Sequence, residues 1–207
     1  MNRSMVRWVG TPWVWMARVR HRCGYGVHSP FAFNFITGVV YERGTYYAYR
    51  QLDRLYGPMV RWLHLRPRKC GRLLFRLANY VHPAAIVTWR ASDTVRAWLA
   101  GGCAGARLVE WPAEGAGSAD RQGGETAPLL LYLEGYSGAG AVYDSLRCRL
   151  SAGSVLVLSG IRRSASARRL WCRLQKDTNV GAMFDLYDYG IVFFEPLRNN
   201  QHYIINF

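Results

Sequence analysis

Lysine is almost missing from this chain: of 27 basic residues, only Lys69 and Lys176 are not arginine. Acid is scarce too, with 13 Asp and Glu, and the formal net charge is +14. A field of that sign suits nucleic acid or an anionic lipid surface. The arginines are spread along the chain, as in Arg3, Arg50, Arg76, Arg107, Arg147 and Arg198, with local pairs at Arg162-Arg163 and Arg168-Arg169. No concentrated basic segment stands out, so compositional bias accounts for the excess better than a working phosphate-binding face does. Paired cysteines are missing as well. Cys23, Cys70, Cys103, Cys148 and Cys172 are odd in number and widely spaced, with no C-x-x-C and no Cys-His spacing of a zinc site. That pattern predicts a reduced, cytoplasmic chain with no metal centre. No apolar run approaches the roughly 20 residues of a membrane-spanning helix. Residues 5–22 mix Trp8, Trp13 and Trp15 with Arg7, Arg18, Arg20 and Arg22 and lack a small-residue cleavage site. They do not form a signal peptide, and peripheral contact with a membrane surface is the membrane role they leave open.

What is present is a globular composition. Half of the 207 residues are hydrophobic and 19% are charged, which excludes a disordered chain and suffices for one core without disulfides. The first third reads as helical, a segment over 1–82. Ser29-Pro30 is a helix start, followed by Phe31, Phe35, Ile36 and Val39 on one face. A second helix is predicted from Thr45 to Tyr56 and a third from Lys69 to Val81. The third puts Leu73, Leu74, Leu77, Ala78 and Val81 on one side and Arg72, Arg76 and Asn79 on the other. From residue 83 the pattern changes to short apolar runs alternating with helical segments, the mark of a mostly parallel α/β sheet over 83–207 packed with the first segment as one unit. Strands are expected at Ala85–Trp89, Arg107–Trp111, Leu129–Leu133, Ser154–Ser159, Ala182–Leu186, Ile191–Glu195 and His202–Asn206. Helices are expected at Ser92–Ala100, Ala139–Leu150 and Ser164–Lys176. The last three strands leave no room for crossover helices and are predicted to pair antiparallel as hairpins. Pro112 to Pro128 reads as one loop.

Gly26-Val27-His28-Ser29-Pro30-Phe31-Ala32-Phe33 resembles a signature of a bacterial family of class I S-adenosylmethionine-dependent methyltransferases. The likeness extends through Gly71-Arg72-Leu73-Leu74-Phe75-Arg76-Leu77-Ala78-Asn79-Tyr80, through Gly190-Ile191-Val192-Phe193-Phe194, and through Gln201 to Phe207. It implies a Rossmann-like sheet, here shortened, with a C-terminal antiparallel hairpin, and S-adenosylmethionine as cofactor. It also implies a glycine-rich turn after the first strand and an acid after the second to hold the ribose. Glu110 matches that acid, its alternative being a solvated strand-end carboxylate. The turn itself reads Thr88-Trp89-Arg90-Ala91-Ser92-Asp93-Thr94, without glycine. Arg90 and Asp93 or Thr94 bring side chains where the cofactor packs, and a β-carbon penalises the positive φ that glycine permits.

Where the family carries acid and base residues after its fourth and fifth strands, this chain has Leu133-Glu134-Gly135-Tyr136 and Ser159-Gly160-Ile161-Arg162-Arg163-Ser164. Glu134 alone keeps a carboxylate there. The candidate site is therefore Glu110 and Ser92 toward a cofactor and Glu134 or Asp93 as catalytic acid or base. His28 either reaches that site or packs to fix the helix entry, and Tyr46, Tyr47 and Tyr49 beside Arg50 either stack bases or pack on the sheet. The expected protein is a degenerate, methyltransferase-like pseudoenzyme or accessory subunit, a reading that leaves room for an unidentified protein partner and does not favour nucleic acid. The alternatives are an active enzyme with an atypical cofactor site and a basic RNA- or membrane-associated module.

Overall fold

The computed structural model describes residues 27–56, 65–111, 127–195 and 200–207. The Trp-rich stretch at 5–22 and residues 112–126 of the expected loop lie outside them.

Ser29 starts the first helix, α1 (Pro30–Phe35), by accepting a hydrogen bond from the Ala32 amide, and Pro30 occupies the first turn. One π-helical turn, Ile36–Val40, continues it. The second helix is shorter than expected: α2 spans Tyr49–Asp53 and closes in a 3-10 turn, Arg54–Tyr56. Residues 45–48 stay non-helical. The rings of Tyr46 and Tyr49 lie 5.1 and 5.3 Å from that of Phe75, and this packing, with no side-chain cap at Ala48, outweighs local propensity. Helix α3 (Leu65–Val81) then leads into β1 (Ala85–Trp89), α4 (Asp93–Gly102), β2 (Arg107–Glu110), β3 (Leu129–Glu134), α5 (Ala139–Leu146), β4 (Val155–Ser159), α6 (Ala165–Leu174), β5 (Val180–Asp185), β6 (Tyr189–Phe194) and β7 (Gln201–Ile204).

The seven strands form one sheet in the order β2-β1-β3-β4-β6-β5-β7. β1 to β4 are parallel, and β6 is inserted antiparallel between β4 and β5. This is the Rossmann-like sheet with a C-terminal antiparallel hairpin that the sequence predicts. One pairing is corrected. β7 does not form a hairpin with β6 but runs parallel to β5, because both edges of β6 are already taken by β4 and β5. Among the described residues β2 is an edge strand, with Arg107, Leu108 and Glu110 exposed.

The sheet is buried on both faces, as its nearly unbroken apolar strands require. On one face Phe35, Ile36, Leu73, Leu74, Leu77 and Trp98 pack against Ile86, Leu130, Val155, Val157 and Phe184. On the other, Val142, Tyr143, Leu146, Leu170 and Trp171 pack against Val87, Leu131, Leu156, Leu158 and Val192. The helical segment before residue 82 thus supplies part of the sheet's own core. Arg76, expected on the solvent side of α3, is 6% exposed. The first helix covers it, and its guanidinium donates to the carbonyls of Val39 (2.6 Å) and Val40 (3.2 Å) and to the Tyr49 hydroxyl (3.3 Å). A buried arginine is tolerated because its donors meet carbonyls left over at a helix end.

Candidate functional site

In open α/β sheets ligands lie beyond the carboxyl ends of the strands, at the crevice where strand order reverses. Here that point falls between β1, whose successor β2 lies on one side, and β3, which lies on the other. The turns that flank it are Trp89-Arg90-Ala91 and Glu134-Gly135-Tyr136. Arg90 takes φ +54, so the chain keeps the left-handed turn where glycine would be at ease and places an arginine in it. Its guanidinium lies 5.1 Å from the Trp89 ring and 5.9 Å from the Tyr136 ring. Arg163 comes to 5.6 Å of that same Tyr136 ring from the turn after β4. Such stacking offsets part of the backbone strain and keeps the cations over aromatic faces.

The four named site residues do not converge. Ser92 caps α4, its hydroxyl accepting from the Val95 amide at 3.3 Å. Asp93 is exposed and pairs with Arg96 one turn on. Arg96 also pairs with Glu110 at the end of β2, so a residue of the same chain engages the carboxylate that the resemblance assigns to a ribose. Both acids thus serve one arginine.

Glu134 belongs to a separate network. Its carboxylate, 14% exposed, pairs with Arg163, accepts from Tyr132 at 2.8 Å and accepts from Ser159 at 3.1 Å. Tyr132 shares its face of β3 because strand side chains alternate, and Ser159 stands opposite Glu134 in the register of β3 and β4. Tyr189 of β6 stands opposite Ser159 in the register of β4 and β6. Burial, and then the charge of Glu134, push the Tyr132 hydroxyl far above its ordinary value; burial does the same to Tyr189. Both hydroxyls stay protonated, and that of Tyr132 donates to Glu134.

Raised tyrosines make the fold sensitive to alkali. In the unfolded chain Tyr132 loses its proton near pH 10, whereas in the folded chain it keeps it to higher pH. The stabilisation is complete below pH 10 and falls as pH rises beyond it, by about 1.4 kcal/mol per pH unit for one such tyrosine. Urea unfolding between pH 10 and 12 should therefore show a shallower pH dependence in Tyr132→Phe, by about one proton. An unchanged slope would refute the burial of an uncharged Tyr132 hydroxyl.

Arg162 and Arg163, the pair beside the expected ligand edge, are not a free phosphate-binding pair. Arg162 forks onto buried Asp185 at 3.0 and 2.6 Å and donates to the Tyr187 carbonyl at 2.8 Å. It thereby holds the β5–β6 turn, where Tyr187 has φ +74. Of the other sequence candidates, His28 is exposed rather than packed. Tyr49 is buried and Tyr46 is packed against Phe75, while Tyr47 alone points outward at 89% exposure. No group of three or more His, Cys, Asp or Glu among the described residues is placed to hold a metal. No described helix is long and apolar enough to cross a membrane.

A cavity of about 330 Å³ opens on the α3–α4 side of the strand ends, between Cys70, Gly71, Ser92, Trp98, Arg163 and Tyr189. It shares Ser92 with the residues predicted from sequence and omits Glu110 and Asp93. Arg96, Tyr132 and Tyr189 do not stand out in the sequence, and Arg163 does so only as half of a basic pair, not as a partner of Glu134. Tyr132 was recoverable, since it lies two residues before Glu134 on a strand, and Arg96, since it lies three after Asp93 on a helix. Tyr189 was not, because only the sheet order brings it to β4.

No family model matches the chain, and no curated protein matches it. Among solved structures, one similar chain is a protein of Corynebacterium glutamicum, at TM-score 0.49 and 15% identity over 79% of this chain and 97% of that one. Another is the SAH-bound methyltransferase PaMTH1 of Podospora anserina, at TM-score 0.48 and 10% identity over 81% of this chain and 97% of that one.

Proposed function

We propose that this chain is a methyltransferase-fold protein that has given up ordinary S-adenosylmethionine binding and acts through its surface, as a pseudoenzyme or accessory subunit. The observation that carries this reading is Arg90. A side chain stands at φ +54 in the turn where the cofactor backbone contact requires glycine, and it is stacked over Trp89 and Tyr136 in the switch-point crevice. The pairing of Glu110 with Arg96 supports it, since ribose hydroxyls would have to displace a guanidinium. The residues present do not fit the cofactor in its usual pose, and no methyl-transfer step is assigned to them.

Thermal unfolding with millimolar S-adenosylhomocysteine tests this. A ligand at 100 times its Kd adds about 2.7 kcal/mol, which at this size raises Tm by about 5–10 °C. No rise is expected. A clear rise overturns the reading and favours an active methyltransferase with an atypical site, for which the open cavity beside Ser92 and Trp98 is the supporting observation. Under that second reading Thr94→Trp, which fills the cavity, abolishes the rise.

A further inference from the structure

Helix α6 shows solvent a face on which cations predominate, with Ala165 and Cys172 the other exposed residues. Its apolar residues Ala167, Leu170, Trp171 and Leu174 are buried on the sheet, and Arg168, Arg169, Arg173 and Lys176, the last just past its end, are exposed on the opposite side. Arg173 is paired with Asp144 of α5. Arg168, Arg169 and Lys176 have no carboxylate partner among the described residues, in contrast to Arg72, Arg96, Arg147, Arg162 and Arg163. The nearby acids are consumed: Asp144 by Arg173, and Asp177 by Arg147.

Within the helix the dipole favours only Arg173 in the last turn and Lys176 beyond it, not Arg168 or Arg169. Arg169 and Arg173 are four residues apart and Arg173 and Lys176 three, spacings at which like charges repel. Arg168 and Arg169 stand toward the positive end of the helix dipole, where acids and not bases are stabilised. Their stems are not needed to cover the core, which Leu170, Trp171 and Leu174 already close.

We propose that the exposed face of α6 is a docking surface for the phosphate backbone of a nucleic acid duplex, read without regard to sequence. Charge complementarity sets the partner. From Arg168 to Lys176 the stripe is about 12 Å long at 1.5 Å per residue, and each strand of a duplex presents a phosphate about every 3.4 Å of its axis, so the stripe spans about as many phosphates as it has cations. Three of the four cations are arginine, whose guanidinium forks onto phosphate oxygens. A lipid surface fits less well, because the helix leaves only the small Ala165 and Cys172 outward and no large apolar side chain to enter the headgroup boundary. Single strands fit less well too, because Trp171 is buried and the face presents no aromatic ring for bases to stack on.

This inference does not depend on whether the cofactor binds. The test is fluorescence anisotropy of a labelled 20-base-pair duplex with the full chain, across 50–250 mM salt. Arg168→Glu with Arg169→Glu is compared with the control Arg43→Glu with Arg50→Glu, an exposed pair elsewhere, after melting curves show both folded. The α6 variant should bind at least tenfold more weakly at 100 mM salt and show a log-log salt slope reduced by about two, one for each lost phosphate contact. The milder Arg168→Ala with Lys176→Ala should show the same fall in slope. Equal losses in the two reversed pairs, absence of duplex binding at 50 mM, or binding to phosphatidylserine vesicles that outlasts duplex binding would each overturn the proposal.

Discussion

Glu134→Ala should lower the unfolding free energy by about 3 kcal/mol, and Asp93→Ala by less than about 0.5, although both carboxylates lie near the carboxyl ends of the parallel strands. The difference lies in what each removal leaves behind. Without Glu134 the hydroxyls of Tyr132 and Ser159 lose their acceptor and Arg163 its counter-ion. An unsatisfied buried donor costs about 1–3 kcal/mol, and breaking a largely buried pair costs more; the partial exposure of Arg163 holds the sum below the full figure. Asp93 is exposed, and losing it leaves Arg96 still paired with Glu110. Urea titrations of the two variants at pH 7 measure this. Equal small effects would dissolve the network as a structural element and return Glu134 to the list of free site acids.

Trp98→Ala should cost about 3–5 kcal/mol, the range for truncating a fully buried large aromatic, and it should reverse the sign of a second substitution. Trp98 is 0% exposed and joins Tyr49 and Phe75 at ring separations of 5.6 and 6.4 Å. Its indole lies where a β-carbon on Gly71 would stand, at 2.5 Å. In the intact protein Gly71→Ala should therefore destabilise by about 1–3 kcal/mol through overpacking. In the Trp98→Ala background that clash is gone, and alanine should regain the roughly 1 kcal/mol of helix propensity that glycine forfeits inside α3. A double-mutant cycle from thermal melts reads the coupling, and additive effects would refute the close approach of α3 and α4.

Gly71 also shows where sequence reading stops. In the sequence it is a helix-weakening glycine of unexplained purpose, and the ring that requires it lies 27 positions on. Arg76 is similar. By helical period it belongs to the polar side of α3, and it is buried because a preceding helix, invisible to that period, lays its carbonyls there. The site divides in the same way. Ser92 as a cap, and the left-handed strain at Arg90, follow from local rules. The engagement of Glu110 by Arg96, and of Arg162 by Asp185, depends on strands and turns that the chain order separates.

By itself the sequence determined where most of the strands and helices lie, that they alternate into a mostly parallel sheet, and that the turn after β1 has no glycine, because these depend on side-chain period and on backbone preferences of neighbouring residues. It could not determine that β7 adds to β5, that Arg162 and Arg163 are held by carboxylates while Arg168, Arg169 and Lys176 face outward, or that Arg90 lies over Tyr136. Charge and hydrogen-bond partners are set by which residues the sheet order brings within a few ångströms, and that order is chosen by edge availability and burial across the whole chain.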